Sequence, residues 1–135
     1  MTKASGKGKV AASASLTGML SMVVAVALPL AACKPGGKAS VTVAATGEVL
    51  VRVVEPRNFC ATSASVSKLG EGGAERIWHV VRRGDSTACI RTFRVGTTPD
   101  GFRTIGPSKP STPGHFEAIV LGGEYVIMRT FFVPQ

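Results

Sequence analysis

The side chains with most chemistry to offer are three cysteines, two histidines and eight carboxylates. A metal centre needs three or four His, Cys or carboxylate ligands at short, regular intervals. His79 and His115 have no Cys or carboxylate at such spacing, and Cys89 has neither the nearby His nor the closely following Met of a blue-copper centre. No metal is expected. A nucleophilic Ser or Cys needs a base within reach, yet neither a Gly-x-Ser-x-Gly elbow nor a Cys-His motif occurs. Glu71 and Glu75 flank a Gly-rich turn, and Glu117 and Glu124 sit in opposed registers of one hairpin, so these carboxylates read as solvated side chains. Gly70-Glu71-Gly72-Gly73 lacks the Lys and the strand-to-helix setting of a phosphate loop. The expectation is a chain with no catalytic residue and no cofactor.

The cysteines divide by what surrounds them. Cys33 ends a stretch, Val10 to Cys33, without a single charge; Lys3, Lys7 and Lys9 precede it, and Leu16 to Leu28 forms its strongly apolar centre. A basic start, an apolar middle and small residues before a cleavage point are the three parts of an export signal. The closing tetrapeptide Leu30-Ala31-Ala32-Cys33 resembles, at all four positions, the lipobox of bacterial lipoprotein signal peptides. The resemblance covers about the first 33 residues. It implies cleavage before Cys33, a diacylglyceryl group on its sulfur, and a further acyl chain such as palmitate on its new amine. One acyl chain binds a membrane marginally, whereas two or more, at about 0.8 kcal/mol per buried methylene, anchor it durably. A retained transmembrane helix is the competing reading, since about 20 apolar residues span a bilayer. Pro29 and the small Ala31-Ala32 pair speak against it. By analogy with enterobacterial sorting, Lys34 rather than Asp after the lipidated cysteine implies the periplasmic face of the outer membrane, where the host has two membranes.

Residues 33–40, Cys33-Lys34-Pro35-Gly36-Gly37-Lys38-Ala39-Ser40, read as a lipidated cysteine followed by a flexible tether. The division is thus 1–32 signal peptide, 33–40 tether and 41–135 mature domain. The whole chain carries +8 from 16 basic and 8 acidic side chains. Loss of the three N-terminal lysines leaves thirteen against eight, a net +5, with Arg dominant. A guanidinium grips phosphate or carboxylate bidentately, which suits anionic lipid headgroups or polysaccharide, but outward-facing arginines on solvated strands account for the same composition. Export excludes nucleic acid as a partner. The binding residues singled out are Arg82, Arg83, Asp85 and Arg103. Among them, Arg83-Gly84-Asp85-Ser86 repeats a tetrapeptide that some integrins recognise, a weak signal that any Gly-Asp turn produces.

From Ser40 onward, short β-branched runs alternate with Gly, Pro and Asp, and no window of a dozen residues sustains a helical period. The domain reads as all-β, a small antiparallel sandwich or barrel. Expected strands are 41–44, 48–54, 76–82, 88–95, 102–105, 115–121 and 124–133, with a weaker one near 61–69. Gly122-Gly123 predicts a two-residue hairpin that sets Leu121 opposite Glu124 and Val120 opposite Tyr125. Phe116, Ala118, Val120, Tyr125, Ile127 and Phe131 then share a core face. A second hairpin is expected to join 76–82 to 88–93 through Arg83-Gly84-Asp85-Ser86-Thr87. Thr98-Pro99-Asp100-Gly101 signals a turn, and 107–114 an extended loop.

Export places Cys60 and Cys89 in an oxidising compartment, so they are expected to pair. The closed loop of about 30 residues contributes roughly 3 to 4 kcal/mol in the chain-entropy model. Cys60, Trp78 and Cys89 follow the order of immunoglobulin domains, but the cysteines lie too close together for that family's intervening strands. The functional expectation is a non-enzymatic envelope lipoprotein that binds a protein or a cell-wall component as an accessory subunit. The alternative is a lipid-anchored inhibitor or adhesive domain acting through a loop such as 104–114. Lysozyme-inhibitor lipoproteins are similar in size and strand richness, although none of their loop motifs appears.

Overall fold

The computed structural model describes residues 34–135, and Cys33 with the segment before it lies outside them. Nine strands follow in chain order: β1 Lys34–Pro35, β2 Lys38–Val43, β3 Val49–Glu55, β4 Ser63–Gly70, β5 Gly73–Arg82, β6 Thr92–Arg94, β7 Phe102–Thr104, β8 Gly114–Gly122 and β9 Tyr125–Val133. Among the described residues there is no helix. The strands form a six-stranded sheet in the order β1-β9-β8-β4-β5-β7 and a three-stranded sheet in the order β2-β3-β6. All pairings are antiparallel except the two-residue contact of β1 with β9. The all-β sandwich is the architecture that strand-length apolar runs dictate, because each sheet must bury one face against the other.

Period-two alternation supplies that buried layer. Val49, Val51 and Val53 of β3 and Phe93 of β6 face inward from the small sheet; Ala64, Val66, Trp78, Val80, Phe102, Phe116, Ala118, Val120 and Ile127 meet them from the large one. Phe93 stands edge-on to Trp78 at 6.0 Å and to Phe102 at 5.6 Å between ring centres, so one aromatic from the small sheet locks into two from the large. The indole N–H, which burial would otherwise orphan, donates to the Thr97 carbonyl at 3.0 Å.

Three expectations need correction. The tether is not free along its length: Lys34 and Pro35 align with Tyr125 and Val126, and Lys38–Ser40 belong to β2, since pairing with β3 satisfies their backbone. The last hairpin turns at Gly123-Glu124, with Gly122 paired to Tyr125. Gly123 takes the positive φ of +56°, while a side chain on Gly122 would meet the Cys60 carbonyl oxygen at 2.4 Å and the Phe59 ring at 2.6 Å. Gly122 is thus required for close approach. The register is two residues from the expected one, which leaves every side chain on its expected face.

The expected hairpin between 76–82 and 88–93 does not form. β5 pairs with β4 and β7, whereas β6 pairs with β3 in the other sheet. Residues 83–91 carry the chain from one sheet to the other, passing the Cys60–Cys89 disulfide, which is formed with Cα atoms 4.5 Å apart. The strand expected near 61–69 is present as β4, in the interior of the large sheet between β5 and β8. Its serines have low strand propensity, and flanking strands override that preference.

Candidate functional site

Cross-strand register shows what the large sheet presents to its outside. One row runs Met128, Ile119, Ser65, His79 across β9, β8, β4 and β5; the next runs Val126, Leu121, Ser63, Val81, Arg103. A third contains Thr130, Glu117, Ser67 and Arg76, and a fourth Phe132, His115 and Leu69. The outer side of a free-standing sandwich sheet is ordinarily polar. Here Met128 is 56% exposed, Phe132 52% and Leu121 38%, with Ile119, Val126 and Val81 beside them. Ile119, Leu121, Val126 and Met128 adjoin one another near the β8–β9 turn, while Phe132 stands beyond the Thr130 and Glu117 row, so the face is a candidate docking surface in two parts.

The serines of β4 run down the middle of this surface. Their short side chains lie between taller neighbours on β8 and β5, which is why Ser65 is only 8% exposed on an outward-facing position. His79 accepts a hydrogen bond at Nδ1 from the Arg76 guanidinium at 3.3 Å. Burial first, and the Arg76 charge second, hold its imidazole below the ordinary histidine range. Ser65 and His79 are cross-strand neighbours, but no hydrogen bond joins them and Nδ1 is engaged by Arg76, so the pair lacks the geometry of an activated nucleophile.

At the end of the sheet farthest from the β8–β9 turn, a shallow groove of about 720 Å³ lies among Leu69, Gly70, Glu71, His115 and Phe132. The His115 and Phe132 rings pack 4.9 Å apart on its wall. Glu75, near the same end, pairs with Lys109, whose hydrogen bond and charge lower its pKa. Among the described residues, no three His, Cys, Asp or Glu side chains converge as a metal site requires.

The arginines singled out from the sequence do not form one patch. Arg82 pairs with Phe102, and its Nη1 lies 3.5 Å from the Ala88 carbonyl; Arg103, opposite Val81, points to the other face of the same sheet. Arg83 and Asp85 lie in an exposed turn closed by the Ser86 N–H donating to the Arg83 carbonyl at 3.0 Å. That turn joins the two sheets and is not the tip of a hairpin. Arg91 is committed to the fold: Nη1 donates to the Arg57 carbonyl at 2.5 Å, and Nη2 to those of Val53 and Val54 at 3.0 and 3.1 Å. Cys60 and Cys89 are bonded as expected, and Cys33 lies outside the described residues.

The expected core face of β8 and β9 does not include the apolar outer face, yet the sequence carries a signal for it. Ile119-Val120-Leu121, Val126-Ile127-Met128 and Phe131-Phe132 are unbroken apolar runs, the pattern of strands covered on both faces. Comparison with known proteins adds no relative: no family model, no curated protein and no solved structure matches the chain.

Proposed function

We propose that the chain is an exported envelope lipoprotein, anchored through lipid on Cys33, whose β-sandwich docks an envelope protein partner and performs no catalysis. In a host with two membranes its place is the periplasmic face of the outer membrane. The observation that carries the docking role is the apolar outer face of the large sheet, built from Ile119, Leu121, Val126, Met128 and Phe132. The lipobox resemblance carries the anchor. The path of the chain joins the two. Lys34 pairs at Tyr125, the start of β9, and Phe132 lies seven residues farther along that strand, roughly 23 Å at ~3.3 Å per residue. Lys34 therefore lies at one corner of the sheet, and the Phe132 end of the face stands away from it.

Two measurements test the reading separately. Cys33→Ala is expected to abolish acyl labelling and let precursor accumulate; unchanged processing overturns the anchor. Affinity capture from detergent-solubilised envelopes is expected to recover a stoichiometric partner with the unsubstituted chain and to lose it with Met128→Lys plus Phe132→Lys. Equal recovery with both chains overturns the assigned face.

A further inference from the structure

We propose that β9 pairs antiparallel with β9 of a second copy of this chain, about a twofold axis passing beside Thr130. β9 is an edge of the large sheet along most of its length, since β1 covers only Tyr125 and Val126. β2 flanks it in the other layer but is hydrogen-bonded to β3. In a two-residue hairpin the closing pair, Gly122 and Tyr125, is hydrogen-bonded, so the N–H and C=O groups of alternate residues Val126, Met128, Thr130 and Phe132 point away from β8. Val126 is taken by β1, and beyond Phe132 the next outward-pointing position is Pro134, which has no N–H. The unsatisfied groups are therefore those of Met128, Thr130 and Phe132.

Those three residues are symmetric about their centre. A twofold beside Thr130 sets each Met128 opposite Phe132 of the second copy and Thr130 opposite Thr130, giving three bonded pairs of two hydrogen bonds each. It also places the two most exposed large apolar side chains among the described residues against each other on the outer face, where Met128 is 56% and Phe132 52% exposed. Residues 127–133 hold one charge, Arg129, and no proline or bulge, the devices by which edge strands ordinarily block such pairing. The axis stands normal to the sheet, so both apolar outer faces look the same way and become one continuous surface. Stable interfaces bury about 1,200–2,000 Å², and an edge pairing this short falls below that, so the dimer is weak and grows with concentration.

The test uses full-length protein in detergent solution. Thr130→Cys is expected to give an oxidised dimer whose linked peptides both map to position 130, because bonded cross-strand Cα atoms lie ~5.5 Å apart, within disulfide reach. Mixing Met128→Cys with Phe132→Cys is expected to link the two positions, while neither variant links to itself there. Thr130→Pro removes an outward N–H without touching the β8 ladder, and Thr130→Lys sets two like charges face to face; each is expected to leave a single sedimenting species at every concentration. No link at position 130 despite a reactive thiol overturns the proposal. So does equal linking of Met128→Cys to itself, or a dimer that survives Thr130→Lys in a folded chain.

Discussion

The two outer faces of the sandwich obey different rules. On the small sheet, Ser40, Thr42, Arg52, Thr92 and Arg94 point to water, Arg94 pairs with Glu48 at 2.9 Å, and only Leu50 and Val54 interrupt the polar surface. On the large sheet the outward positions of β8 and β9 hold Ile119, Leu121, Val126, Met128 and Phe132, with His115, Glu117 and Thr130 as their polar neighbours. Both sheets follow the same inward alternation, so folding alone requires nothing more of either exterior. The fold accounts for the polar exterior of the small sheet and leaves the apolar exterior of β8 and β9 to the docking role proposed above. An exposed ion pair such as Arg94–Glu48 contributes about 0–1 kcal/mol, so the small face is solubility rather than stability.

Three measurements break or sharpen this contrast, the largest effect first. Phe93→Ala removes the ring that ties both sheets to one core and is expected to cost about 3–5 kcal/mol of unfolding free energy. Denaturant curves with unchanged slope would keep the sheets one cooperative unit, whereas two separated transitions would make the faces belong to independent layers. Lysine placed at Met128 and at Thr42, one exterior at a time, is expected to shift stability by less than about 0.5 kcal/mol in either case. Only the Met128 variant is expected to lose partner capture and gain solubility. Equal consequences at both positions would erase the distinction between faces.

The smallest effect is the pH response of His79. Its folded pKa is depressed, so below about 6.5, the ordinary histidine value, the unfolded chain takes up a proton that the folded chain resists. Stability contributed by neutral His79 is therefore complete above that pH and declines as pH falls toward the folded value. His79→Gln is expected to flatten this part of the stability profile; an unchanged profile would assign the slope to another group.

How much of this was legible in the sequence depended on where packing overrode local preference. The inward face of β8 and β9 was readable because Phe116, Ala118, Val120 and Ile127 alternate cleanly, and a two-residue error in register leaves alternation intact. Gly122 misled because glycine serves both for positive φ and for close approach, and only the Phe59 ring and the Cys60 carbonyl reveal which. β4 was faint because Ser63, Ser65 and Ser67 carry no strand signature, although Ala64 and Val66 fill the core. The hairpin at 83–87 was misplaced because its turn residues are genuine, while the pairing of the next strand is decided by Phe93 reaching Trp78 from the opposite sheet. Of the docking face, the residues were visible and their exposure was not, since an apolar run does not say which of its two sides another layer will cover.

The disulfide also bears on how quickly the chain finds this structure. Leu50 of β3 and Arg94 of β6 pair although 44 residues separate them. Once Cys60 is joined to Cys89, the shortest covalent path between them falls to about sixteen steps, because the bond bypasses the whole β4–β5 hairpin. Closing shorter loops costs less entropy, and folding speeds rise as contacts become effectively more local. Oxidation is thus expected to turn the small sheet from a late, long-range assembly into one that forms early, with the β4–β5 hairpin free to fold inside the ring it closes.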